Sequence, residues 1–152
     1  MLLIPRKTKY RYNQTLKYEG HVKGNSFISY GDYGLQAQEG AYISNKVIEA
    51  GRKAISPYVK KVGKLWIRIF PHLGKTKKPL EVRMGSGKGS VESWVSVVKT
   101  GTIIFEIKGL SKELSHQVLK RAAYKFPIKC KVVERPQSAV ETKEGQVTTQ
   151  EE

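Results

Sequence analysis

Apolar residues recur at helical spacing through Val47, Ile48, Gly51, Ala54, Ile55, Tyr58 and Val62, and this stripe predicts a helix with one buried face running to about residue 61. Ser44 stands where an N-cap belongs. Lys46, Glu49, Lys53, Ser56 and Lys60 fall on the opposite side with Arg52 beside them, so that face should be solvated and cationic. Pro57 has no N–H to give the helix ladder and predicts a kink or restart. Period-two alternation takes over at residues 65–70, placing Leu65, Ile67 and Ile69 on one face and Trp66, Arg68 and Phe70 on the other. Residues 91–98 and 102–108 read as a hairpin turning at Thr100-Gly101. Ser111 precedes a second helix whose Leu114, Val118 and Ala122 face the core and which Pro127 stops. A last strand spans 128–133, and the segment 24–42 suggests a short strand pair with tight turns.

The order ββ-α-β-ββ-α-β gives an α+β class. The expected architecture is a two-layer sandwich, two helices packed on a mixed, largely antiparallel sheet. Residues 71–90 join two of these elements as a long connection carrying Pro71, Pro79 and a run of cations, and connections of that length are usually functional.

Outside residues 24–135, read as a single domain, periodicity is lost. Residues 1–23 place Arg6, Lys7, Lys9, Arg11, Lys17 and Lys23 among Tyr10, Tyr12 and Tyr18, which predicts an extended basic arm that orders on a partner. Residues 136–152 have almost nothing to bury and read as a disordered acidic tail. The opening Met1-Leu2-Leu3-Ile4-Pro5 is too short an apolar stretch for a signal peptide, and its cations follow rather than precede it. Cys130 is the single cysteine, so no internal disulfide forms; its place on the apolar face of the last strand makes it a structural thiol in a reducing compartment.

Charge turns this fold into a functional statement. The chain carries 28 Lys and Arg against 13 Asp and Glu, and residues 1–136 alone hold 27 basic and 9 acidic residues, net +18. A body so basic repels itself until an extended polyanion neutralises it. Nucleic acid is favoured over an anionic membrane, because the cations are spread over every predicted element and no apolar run spans a bilayer.

Within the long connection, Arg83-Met84-Gly85-Ser86-Gly87-Lys88-Gly89-Ser90 sets glycines at alternate positions between cations. Taken alone, such a run is a flexible turn between strands. It fails as a triphosphate loop, since Val82 stands where the first glycine should be and Gly89 where Ser or Thr would hold magnesium. It fails as a dinucleotide fingerprint too, because Ser90 takes the last glycine position. In a basic body it reads as a loop whose N–H groups approach a phosphate while Arg83 and Lys88 supply charge. Catalytic chemistry finds little footing. His21, His72 and His116 lack metal-ligand spacing, no acid pair or Ser-His-Asp set stands out, and no metal or cofactor is expected.

These residues carry a resemblance. Lys60-Lys61-Val62-Gly63-Lys64-Leu65-Trp66-Ile67-Arg68-Ile69-Phe70-Pro71 resembles the first diagnostic motif of bacterial and organellar large-subunit ribosomal protein sixteen, and Arg83 to Gly89 with Trp94 resembles the second. Pro5-Arg6-Lys7-Thr8-Lys9-Tyr10-Arg11, residues 27–37, and Ile48-Glu49-Ala50 with Arg52 are similar to the same family. Gln36 stands where the family commonly has lysine, Gly51 where alanine is usual, and Pro57 is not general. The resemblance implies a non-enzymatic protein that binds large-subunit ribosomal RNA and transfer RNA, beside neighbouring ribosomal proteins. It would sit between the central protuberance and the peptidyl transferase region, shaping the aminoacyl-tRNA site. A ribosome in the cytoplasm or an organelle is then the expected location, and homo-oligomerisation is not expected.

The candidate RNA-binding residues are Arg6, Lys7, Lys9, Tyr10 and Arg11 in the arm, and Lys46, Arg52, Lys53 and Lys60 on the helix. Lys61, Lys64 and Arg68 join them from the first motif, and Lys75, Lys77, Lys78, Arg83, Gly85, Gly87, Lys88 and Gly89 from the loop. Two readings from other classes share part of this evidence: a free-standing RNA chaperone or regulator would have the same charge and arm, and a nucleotide-binding enzyme would use the glycine loop.

Overall fold

A computed structural model describes residues 3–10 and 12–136 of the chain; Arg11 and nearly all of the acidic tail lie outside the described residues. Its elements are β1 (Tyr33–Ala37), β2 (Ala41–Ser44), α1 (Asn45–Val59), β3 (Lys64–Ile67), β4 (Leu73–Thr76), β5 (Val91–Val98), β6 (Ile103–Lys108), α2 (Lys112–Ala123) and β7 (Cys130–Glu134). The class is α+β as expected, with two helices packed on antiparallel sheet. The strands form two sheets rather than one: a four-stranded sheet ordered β3-β6-β1-β7 and a three-stranded sheet ordered β2-β5-β4.

Both helices begin where the sequence says. Ser44 keeps an extended backbone and its Oγ accepts from the Val47 N–H at 3.4 Å. Ser111 takes the same extended conformation without a side-chain cap bond, and Glu113 in the first turn with Lys120 and Arg121 in the last complement the dipole of α2. The helix α1 runs through Pro57 and ends two residues later, so the expected restart does not occur. A proline one turn from the end removes a ladder bond where fraying would already cost little.

Three other expectations are corrected. The turn at residues 99–102 is real, closed by Thr102 N–H to Lys99 O at 3.2 Å, but β5 and β6 do not pair across it. The chain crosses there from the three-stranded to the four-stranded sheet, and β6 lies between β3 and β1. In the segment 24–42 only β1 and the start of β2 are strands, and they belong to different sheets. Finally, the long connection contains the edge strand β4, which pairs with β5 from Leu73↔Val95 to Thr76↔Val91.

The core lies between the helices and the four-stranded sheet. Leu35, Ile48, Ile55, Phe105, Ile107, Val118 and Leu119 are fully or almost fully buried in it. Each side chain of this size contributes about 1.5–3 kcal/mol by leaving water. At its centre Phe105 and Phe126 meet edge to face, ring centroids 5.8 Å apart. Gly51 is what lets α1 approach them, since a Cβ there would stand 2.8 Å from a carbon of each ring. The apolar stripe holds at Ile48, Gly51 and Ile55 but is displaced by one residue at its end. Val59 is buried, whereas Tyr58 and Val62 are exposed and Glu49, assigned to the outer face, is buried.

Candidate nucleic-acid interface

The loop that follows β4 is closed at its base by the backbone. Lys77 N–H donates to Ser90 O at 3.1 Å, and a Cβ on Gly89 would stand 2.5 Å from Lys77 O, so Gly89 serves that closure. Gly85 (φ 106°) and Gly87 (φ 87°) adopt the left-handed backbone with nothing within 4 Å of a would-be Cβ, and Ser86 between them also has positive φ. Successive left-handed residues turn the chain sharply and leave its N–H groups open on one side. Lys78 reaches back so that its Nζ donates to Gly85 O, which braces the tip. Lys77 faces Glu92 at 3.7 Å across two exposed side chains, a pairing worth little in water. Arg83 is exposed and makes no ion pair or hydrogen bond among the described residues.

Arm and loop meet. Lys88 Nζ lies 5.2 Å from the centre of the Tyr12 ring, a cation–π contact that joins the glycine run to the N-terminal segment. The arm is tied to the three-stranded sheet as well: Tyr42 Oη donates to Leu16 O at 2.6 Å, and Tyr18 packs edge-on against Tyr42 at 5.1 Å. Between arm and sheet opens a cleft of about 280 Å³ lined by Asn13, Thr15, Lys75, Thr76 and Lys88 among others. Lys75, Lys88 and the arm thus share one surface. Arg6, Lys7, Lys9 and Tyr10 are exposed farther along, Lys9 standing over the Tyr10 ring at 5.7 Å. Arg11 falls outside the described residues.

The remaining candidates divide by what already holds them. Lys46, Lys53, Lys60, Lys61 and Lys64 are exposed and have no ion-pair partner among the described residues. Arg52 is held by a two-pronged pair to Glu49, Nε to Oε2 at 2.8 Å and one terminal nitrogen to Oε1 at 2.7 Å. The hydrogen bond from Arg52 outweighs burial and holds the Glu49 carboxyl down at about 2. Arg68 is only 17% exposed at its side chain and pairs with Glu106, which is fully buried. Burial pushes the Glu106 carboxyl up, but hydrogen bonds from the Tyr30, Gly31 and Ser29 N–H groups, with the Arg68 charge, outweigh it and leave the group below the ordinary carboxylate range.

Arg68 also lines a larger cleft, about 570 Å³, together with Lys17, His72 and Lys99. Lys17 and Lys99 are cations outside the candidate set. Lys17 is one of the arm's cations, but nothing local in the sequence pairs it with Lys99, since their nearness comes from the arm passing beside β5. Cys130 is half-buried and its thiol is pushed up to about 11 by burial, so it stays protonated and inert. No cluster of His, Cys, Asp or Glu among the described residues could hold a metal ion. No helix among them is long and apolar enough to cross a membrane.

Open cations on an arm and a braced glycine loop, carried by an α+β body, define a class: strongly basic proteins that hold much of their positive charge on exposed side chains without an internal anion. Comparison with known proteins narrows it. Residues 5–133 match the family model described as Ribosomal protein L16p/L10e. The chain is 54% identical over 134 residues to the large ribosomal subunit protein uL16 of Spiroplasma citri, covering 88% of this chain and 98% of that one. It is 53% identical over 138 residues to the uL16 of Acholeplasma laidlawii (91% and 100% covered) and 50% over 144 residues to that of Lysinibacillus sphaericus (95% and 100%). The chain belongs to this family of ribosomal proteins, and its general role is a ribosomal one.

Proposed function

We propose that this protein is a structural constituent of the large ribosomal subunit that binds its ribosomal RNA and helps organise the aminoacyl-tRNA site near the peptidyl transferase centre, contacting tRNA. The observation that carries the reading is the meeting of the glycine loop and the arm through Lys88 and Tyr12, in a family member with a net +18 body. Lys75, Arg83 and Lys88 grip phosphates, and Gly85 and Gly87 allow the backbone to approach them. Residues 1–23 act as an arm that settles on RNA, residues 24–135 as its rigid mount. Lys46 and Lys53 on α1, Lys60 and Lys61 in the turn after it, and Lys64 at the start of β3 contribute positive field from the mount. Other large-subunit proteins are neighbours rather than substrates.

Sedimentation of cell extract on a sucrose gradient tests this. The chain should travel in stoichiometric amount with the large subunit and stay there at moderate salt. Its presence only at the top of the gradient would contradict the reading and favour a free-standing RNA-binding chaperone. Equilibrium dialysis against ATP and magnesium should show no binding, because the loop lacks both the first glycine and the hydroxyl of a triphosphate site.

A further inference from the structure

The most elaborately held part of the surface lies away from the glycine loop. Glu106 is fully buried on β6, yet its two oxygens accept from the N–H of Ser29 (3.2 Å), Tyr30 (2.7 Å) and Gly31 (2.9 Å) and pair with Arg68. A buried carboxylate with three backbone donors and one cation is a fixed anchor, because every group lost from it would be left unpaired. Gly31 makes the approach possible: a Cβ there would stand 2.7 Å from Ile107 O and 3.0 Å from the Glu106 Cβ. The segment 29–31 is therefore clamped onto the sheet although it is not a strand.

What the clamp presents is an aromatic ring. Trp66 in β3 pairs opposite Glu106, and Arg68, one residue past the end of that strand, continues the alternation onto the same face. Tyr30 lies over both. Its ring is stacked on Trp66 with an interplanar angle of 22° and centroids 6.1 Å apart, and the Arg68 guanidinium carbon lies 5.1 Å from its centre. With both contacts made, Tyr30 remains 57% exposed. Phe27, three residues earlier, is 65% exposed. A large aromatic held against two supports and still more than half exposed is expensive to maintain for stability alone, since its exposed part gains nothing from burial.

We propose that Tyr30 is a stacking site for an unpaired RNA base, with Trp66 and Arg68 as its backing and Glu106 as the positioning residue that fixes its height above the sheet. The proposal rests on the reading that this protein binds RNA. An aromatic face takes any base, and the surrounding positive field draws the strand to it. Arg68 then acts through Tyr30 and not on a phosphate.

The test compares the purified full-length chain with Tyr30→Ala, Tyr30→Leu and Tyr30→Phe on two fluorescent probes, a twelve-nucleotide oligouridine and an abasic ribose-phosphate oligomer of the same length. Tyr30→Ala and Tyr30→Leu should bind oligouridine about tenfold more weakly and the abasic oligomer as before, while Tyr30→Phe keeps both affinities. The Leu variant keeps apolar bulk over Trp66, so loss of packing is separated from loss of the stacking face. Equal weakening on both probes would overturn the stacking site. So would unchanged binding in all three variants, which would leave RNA binding intact and assign this ring to a protein neighbour. If the wild-type chain binds neither probe, the RNA-binding reading itself falls and the inference with it.

Discussion

Arg68 and Arg83 are the same side chain in two neighbouring basic motifs, and the fold treats them in opposite ways. Arg68 lies against the Tyr30 ring and is paired with buried Glu106. Arg83 stands on an exposed loop tip with no ionic partner among the described residues. The first helps to define the shape of the surface, and the second is free to meet a phosphate. Helix α1 repeats the contrast over a single turn, where Arg52 is held by Glu49 and Lys53 is open. A count of cations therefore overstates an interface. What measures it is the set of cations that the protein leaves without an internal anion.

The comparison breaks first at Glu106. Glu106→Ala strands three backbone N–H groups and the Arg68 charge, and should cost about 3–5 kcal/mol in denaturant unfolding. Arg83→Ala should change stability by no more than about 0.5 kcal/mol, because nothing in the fold depends on it. A Glu106 variant as stable as wild type would remove the distinction between the two arginines.

Gly51→Ala comes next. Alanine gains up to about 1 kcal/mol of helix propensity, but its methyl meets Phe105 and Phe126 at 2.8 Å, and overpacking costs about 1–3 kcal/mol. Calorimetry should show a net loss of about 1 kcal/mol. A gain would mean that the rings yield and that the helix does not need this glycine.

The last effect is an acid one. Arg52 holds the Glu49 carboxyl down, from 4.5 to about 2. A carboxylate whose folded value is depressed contributes stability that is complete above its unfolded value and lost as pH falls toward the folded one. Wild type and Glu49→Gln should therefore differ in stability above pH 4.5 and converge as pH falls toward about 2. A difference independent of pH would show that the ion pair is not what holds Arg52.

Much of this was legible in the chain because it is local. Ser44 and Ser111 mark helix starts by residue type, and Val118 and Ala122 mark a face by spacing. The exposed cations of arm and loop were legible for the same reason, since solvated charge needs no partner to be specified. Most of the misreadings concern partners chosen in three dimensions. A turn at Thr100-Gly101 looks the same whether its strands pair or part. The strand β4 hides because Gly74 and Lys75 on a sheet edge show no apolar alternation. Glu49 could have been matched with Arg52 from their spacing of three. Glu106, 38 residues from Arg68, could not, and with it went the clamp under Tyr30.

The central claim is that the open cations of the loop meet RNA phosphates, and the salt dependence of binding tests it most directly. The measurement is the slope of log affinity against log salt for a large-subunit ribosomal RNA fragment, comparing wild type with the Arg83→Ala, Lys88→Ala double variant. Each lost phosphate contact should lower the slope by about one unit, with the unfolding midpoint unchanged. An unaltered slope in a folded double variant would contradict the account.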